Sequence, residues 1–272
     1  MVPKFVGVTG LPRSGSTLLC QLLGQHPEVY SDGRSSPLCN TLITIRRMVS
    51  DDVFFLSQLD MEFSKSYGHL ASAMQGYLRG WHHDCQSPMV VDKSRGWLRA
   101  IELLLNIDPD AKLIVCLRDL GQIYGSIEAQ HQRTILLDFS DHLADFDRFS
   151  RADQLFMKDK VIGSPLTALH AVADLPKEVQ ARLYYLRFED LMDRPAACLK
   201  HLFDWLGVAP FDIELENLRR GSTESDSHYR MKYLHNHQER IAPPGRHEIP
   251  AKIQTLIDAA YPWYSQMFYP TK

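Results

Sequence analysis

The chain has 272 residues, 30 Lys and Arg against 33 Asp and Glu, a formal net charge of −3, and 44% hydrophobic residues. That balance suits one large or two small globular domains and excludes a disordered, collagen-like or coiled-coil chain. The slight acidity argues against a dedicated nucleic-acid binder, and no apolar run approaches the roughly 18 residues of a membrane span.

The N-terminus, Met1-Val2-Pro3-Lys4-Phe5, runs straight into a strand-like stretch without signal-peptide anatomy. Residues 5–9 are the first short apolar run of a buried parallel strand, and residues 17–24 follow as a helix. A very short strand is expected at 28–30. Residues 46–83 read as helical, within an insertion of about 38–87. Further strands are expected at 89–91, 112–117 and 183–187, interleaved with helices at 98–107, 121–133 and 195–206. The last of these carries Pro195 in its first turn and stops at Gly207. No repeat, low-complexity tract or linker divides the chain. The expectation is a single α/β domain over 1–272, a P-loop-type parallel sheet flanked by helices, with a tail at about 221–272. Five widely spaced cysteines (Cys20, Cys39, Cys85, Cys116 and Cys198) without a C-x-x-C suit a reducing compartment, so a cytoplasmic location is expected.

In open α/β sheets, ligands bind beyond the carboxyl ends of the strands. The stretches to inspect are therefore 10–17, 31–34, 92–95, 118–119 and 188–190. The first is Gly10-Leu11-Pro12-Arg13-Ser14-Gly15-Ser16-Thr17. It follows the nucleotide-triphosphate loop G-x-x-x-x-G-K-[ST] except that Ser16 stands where the lysine belongs. Strand, glycine loop and helix start make an anion site, because free N–H groups converge at the positive end of a helix dipole. Without the lysine, which serves the β/γ phosphates of a triphosphate, a nucleotide with a 5′-phosphate and no γ-phosphate fits better than ATP or GTP. The plain alternative is a glycine turn without a ligand.

The stretch Pro12-Arg13-Ser14-Gly15-Ser16-Thr17-Leu18-Leu19 resembles the 5′-phosphosulfate loop of sulfotransferases that use 3′-phosphoadenosine 5′-phosphosulfate (PAPS), and in wording that of protein-tyrosine sulfotransferases and their bacterial relatives. A second stretch is similar to the family's 3′-phosphate clamp: Arg118 at a strand end and Ser126 eight residues on. A third, Arg187-Phe188-Glu189-Asp190-Leu191, matches a strand end of the family, with Glu189 in an orienting role. The resemblance implies the sulfotransferase fold and transfer of a sulfuryl group from PAPS, without a metal, to a hydroxyl acceptor. Pro12, Arg13, Ser14, Gly15, Ser16, Thr17, Arg118 and Ser126 would bind the donor. Lys93 matches the lysine taken to stabilise the leaving phosphate, and Arg13 shares that charge. The loop wording points to a peptidyl tyrosine; a small alcohol, phenol, lipid or sugar is the alternative. A kinase-like or NTPase-like protein and a noncatalytic nucleotide-binding protein are the competing classes. Oligomeric state stays open, a dimer included.

The general base is the weak point. The tyrosine enzymes carry a Glu shortly after an H-P-[DE] sequence; here His26-Pro27-Glu28 is followed by Gly33 and Arg34 at those positions. Asp32 is the nearest carboxylate and the first candidate, and Asp92 the second. His82 and His83 precede their strand and fall at the wrong end of the sheet. The polar segment 221–248, with Ser222, Thr223, His228, His235, His237 and His247, reads as a lid over donor and acceptor rather than a zinc site. The aromatic stretch 259–269 reads as a packed terminal helix.

Overall fold

Alternation along the central strands decides which face of the sheet each side chain covers. In the computed structural model, which describes residues 3–218, 224–235, 239–242 and 245–270, β1 (Lys4–Gly10), β2 (Val29–Tyr30), β3 (Met89–Lys93), β4 (Lys112–Leu117) and β5 (Leu183–Arg187) form one parallel sheet. The strand order is β2-β3-β1-β4-β5. Neighbouring side chains on a strand point to opposite faces. Phe5, Leu113, Val115 and Leu117 therefore enter one apolar cluster with Trp97, Tyr124 and Tyr264. Val6, Val8, Ile114 and Cys116 enter the other with Leu19, Leu22, Leu202 and Phe203. Burial on both faces explains why these strands read as unbroken apolar runs rather than as alternating ones.

The helices are α1 (Ser16–Leu23), α2 (Leu38–Ser50), α3 (Val53–Trp81), α4 (Ile101–Ile107), α5 (Leu120–Arg133), α6 (Arg148–Phe156), α7 (Gly163–Val172), α8 (Lys177–Gln180), α9 (Phe188–Asp193), α10 (Pro195–Leu206), α11 (Ala251–Ala260) and α12 (Pro262–Phe268). α10 begins and ends where Pro195 and Gly207 demand, the glycine at φ 77°. α4 starts three residues later than residues 98–107 suggest, because 94–100 form turns that bury Trp97. The insertion is a helical hairpin: Leu38, Cys39 and Leu42 of α2 and Met74 and Leu78 of α3 join the core. α3 bends at Glu62 (φ −143°, ψ 62°), and Val53 and Phe54 at its start and Met61 and Phe63 at the bend are exposed.

One register difference bears on the site. β3 continues past Val91, pairing Asp92 with Gly7 and Lys93 with Val8. Asp92 and Lys93 are thus neighbours within a strand, and their side chains leave on opposite faces. α6–α8 and their foundation were not anticipated from the pattern. Asp147 caps α6 by accepting from the Phe149 and Ser150 N–H groups at 2.8 and 3.2 Å. Arg151 on α6 forms a buried ion pair with Glu128 on α5, at 2.9 and 3.1 Å. α5 is the helix that carries Ser126. Among the described residues, no helix is long and apolar enough to cross a membrane.

Candidate active site

The carboxyl ends of β1, β3, β4 and β5 meet at one crest, and the loop from β1 to α1 is folded for close approach of an anion. Gly10 and Gly15 have φ of 127° and 84°. A Cβ on Gly10 would run into the Cys116 carbonyl, and one on Gly15 into the Phe188 ring. Only glycine fits either position. Between them Arg13 also adopts the left-handed region, at φ 58°, a conformation that non-glycine residues keep where surrounding contacts enforce it. The Ser14 hydroxyl turns back to donate to the Leu11 carbonyl at 2.5 Å, tightening the turn. α1 begins at Ser16 with no side chain capping it, so its first N–H groups face the crest for an anion to accept from.

Arg118, Arg13 and Lys93 surround this loop, and Arg95 lines the same cleft. Arg118, buried at the end of β4, donates through Nη1 to the Arg13 carbonyl at 2.9 Å and lies 4.6 Å over the Phe188 ring. The Tyr264 hydroxyl holds the Arg118 carbonyl at 2.8 Å. Arg13 Nε donates to Ser126 Oγ at 3.1 Å, and its Nη1 to the Leu234 carbonyl. Burial pushes both guanidiniums down from their ordinary values, and Arg118 adds to the effect at Arg13. Lys93 Nζ donates to Thr17 Oγ1 at 3.1 Å and to Glu224 Oε2 at 2.8 Å. A cleft that concentrates buried positive charge next to uncapped amides is built for a polyanion, since charge-assisted hydrogen bonds there escape the screening of bulk water.

Pro12, Arg13, Gly15, Ser16, Thr17, Lys93 and Arg118 line this one cleft. Ser14 lies beneath it, and Ser126 reaches it through Arg13 rather than through Arg118. Neither carboxylate considered for proton transfer lines it. Asp32 accepts from the Arg34 N–H at 2.9 Å, pairs with the Arg34 guanidinium at 3.4 Å, and lines a neighbouring cavity with Cys20 and Phe211. Asp92 faces the opposite side of the sheet, where Oδ1 accepts from Trp97 Nε1 at 2.7 Å and Oδ2 lies 3.6 Å from His82. Glu189 accepts from the Asp119 N–H at 3.0 Å and from the Tyr269 hydroxyl at 2.8 Å, which ties the β4 and β5 ends to the terminal helix.

Sequence reasoning missed Glu224, Asp226 and Tyr233 of the tail, and named His235 only as part of the expected lid. Tyr233 and His235 line the cleft beside Ser35 and Arg95. His235 Nδ1 is 2.5 Å from Asp226 Oδ1, and the His235 N–H also donates to that carboxylate, at 3.0 Å. Glu224 accepts from Lys93 and from the Ser35 N–H at 3.1 Å. Burial alone would raise the Glu224 carboxyl, but Lys93, Ser35 and His235 together hold it below the usual range. The single sequence signal for these residues was the density of polar and histidine residues in 221–248. Ser222, Thr223 and His237, named there, lie outside the described residues.

Comparison with known proteins gives the family and the fold. A family model described as Sulfotransferase family matches residues 6–212. The omega-hydroxy-beta-dihydromenaquinone-9 sulfotransferases Stf3 of Mycobacterium tuberculosis and Mycobacterium bovis are each 31% identical over 122 residues, covering 44% of this chain and 29% of theirs. The match thus spans under a third of the length of those relatives. Among solved structures, a sulfotransferase domain from the curacin biosynthetic pathway superposes with a TM-score of 0.55 at 19% identity, covering 96% of this chain and 98% of that one. Sulfotransferase STF9 from Mycobacterium avium gives 0.51 at 17% identity, covering 100% and 78%. Those two likenesses establish the fold.

Proposed function

The chain belongs to the Sulfotransferase family, and from that premise we propose that it is an enzyme that moves a sulfuryl group from PAPS to the hydroxyl of a small, lipid-like alcohol. The observation that carries the donor half is the meeting of the uncapped α1 amides, Arg13, Lys93 and Arg118 in one cleft. When bound, PAPS supplies an activated sulfuryl group; the chain's part is to hold charge and move a proton. The loop amides from Gly15 to Thr17 would hold the 5′-phosphosulfate. Arg118 and Ser126, joined through Arg13, would hold the 3′-phosphate. Lys93 would neutralise charge on the departing phosphate, the term that usually dominates group transfer of this kind. The proton role expected of Asp32 falls in this reading to His235. Asp226 on Nδ1 fixes the ring of a histidine that lines the cleft, the orientation by a third group that a general base needs.

For the acceptor, support comes from the Stf3 relatives, whose names specify a hydroxylated menaquinone. The exposed apolar side chains Val53, Phe54, Met61 and Phe63 of the α3 insertion point the same way. Incubation with 35S-labelled PAPS and three acceptors (a polyprenyl alcohol, a simple phenol and a tyrosine peptide) tests the reading. Label on the polyprenyl alcohol is expected. Label on the peptide alone would return the acceptor to tyrosine, and Mg-ATP turnover without any response to PAPS would overturn the donor as well.

A further inference from the structure

The residues that the proposed function places at the chemistry are already answered by acceptors from the tail. A single carboxylate oxygen, Glu224 Oε2, lies 2.8 Å from Lys93 Nζ and 3.4 Å from His235 Nε2. The pair is nearly closed off from water, with side-chain exposures of 5% for Lys93 and 15% for Glu224. Arg13 donates to the Leu234 carbonyl of the same segment. Arg13 and Lys93 thus both spend hydrogen bonds on residues 224–235. Lys93 carries one charge, so an oxyanion on the loop competes with Glu224 for it. Glu224 also stands against Nε2, the nitrogen that the acceptor hydroxyl would need.

The segment is pinned at its middle and not at the cleft alone. Gln130 Nε2 donates to the Met231 carbonyl at 2.9 Å, and Arg230 to the Phe139 carbonyl at 3.0 Å. Lys232, fully buried, donates to the Thr134 carbonyl at 2.8 Å and sits 3.0 Å from His131 Nδ1. Arg230 and Met231 both have positive φ, 50° and 63°, so the chain reverses there and sends both arms back to the cleft. Residues 224–226 and 234–235 can exchange partners without the segment leaving its seat.

We propose that Glu224 is a resident counter-ion: it holds Lys93 and covers His235 Nε2 until the donor's anion takes Lys93, so that donor binding precedes acceptor activation. Glu224 is then a positioning residue that touches no reacting atom. The inference rests on the PAPS reading of the cleft. A merely structural ion pair predicts the opposite response to its removal, because loss of a brace loosens the cleft, whereas loss of a competing anion strengthens its hold on phosphate.

Calorimetric titration with 3′-phosphoadenosine 5′-phosphate, on wild type and Glu224→Gln, separates the two. The variant is expected to bind about tenfold more tightly, since Lys93 no longer has to exchange a buried charged partner. In wild type, hydrogen exchange at the Ser35 amide, which donates to Glu224, is expected to speed up when the nucleotide is added. That second readout needs no variant. Equal or weaker binding by Glu224→Gln, or a Ser35 amide that stays protected in the saturated wild type, would overturn the counter-ion role while leaving the donor reading intact. No binding by either protein would overturn both.

Discussion

The crest of the sheet and the tail that crosses it are two halves of one site, assembled by different rules. At the crest, each functional group sits where a strand ends or a helix begins: Lys93 at the end of β3, Arg118 just past β4, the loop between β1 and α1. Backbone geometry places them, and nearby residues state that geometry. In the tail, Glu224, Asp226 and His235 are brought to the cleft by contacts that span up to 189 residues of chain, as from Ser35 to Glu224, and among the described residues 224–235 the only regular element is the single turn Ser227–Tyr229. The difference suggests a division of labour. In the proposed reaction the crest would fix the donor's charges, and the tail, seated in the core through Tyr233 and Lys232, would supply what changes during turnover.

The sharpest way to break this contrast is to undermine the crest from below. Arg151→Ala leaves the Glu128 carboxylate buried without its ionic partner, on the same helix that carries Ser126. A loss of about 3–5 kcal/mol in unfolding free energy is expected by denaturant titration. A loss under 1 kcal/mol would mean that the crest does not depend on that pair. Within the crest, Lys93→Ala should lower kcat for sulfuryl transfer by roughly 10²–10³, with nucleotide affinity reduced far less. If affinity collapses instead and kcat at saturation survives, Lys93 is a binding residue and the leaving-group role is wrong.

The tail calls for a smaller effect with a definite pH sign. The Glu224 carboxyl is held below its ordinary value by Lys93, Ser35 and His235, against the opposing pull of burial. A depressed carboxyl stabilises the fold above its unfolded pKa of about 4.3, and that contribution is lost as pH falls through the lower folded value. Glu224→Gln should therefore melt about 2–4 °C below wild type at pH 7, the shift that ~1 kcal/mol gives in a chain of this size. The gap should narrow toward pH 3.5. A gap that does not change with pH would show that the charge of Glu224 contributes nothing to docking the tail.

The same contrast explains what was readable beforehand. The strands, the loop and Arg118 follow from short apolar runs and from glycines whose φ values no other residue tolerates, and all of that is local. Asp92 failed as a cleft residue through parity alone: β3 runs on past Val91, so Lys93 faces the loop and Asp92 faces Trp97. Asp32 stands at a strand end as expected, yet the turn it forms with Arg34 leaves it lining the next cavity. The Asp226–His235 pair is nine residues apart in an irregular segment, and no helical or strand period marks such a spacing. α6 was missed because its buried face sets a charged residue, Arg151 paired with Glu128, beside Ala152 and Leu155, which breaks the apolar pattern.

The central claim is that Arg13, the buried Arg118 and the loop amides hold one nucleotide at both of its ends. Calorimetric titration of 3′-phosphoadenosine 5′-phosphate into wild type and into Arg118→Ala, both first shown to be folded by their melting curves, tests it most directly. The account predicts saturable binding to wild type that weakens about 100-fold in the variant, as expected when one partner of a buried charge pair is removed. The same affinity in both proteins would contradict it.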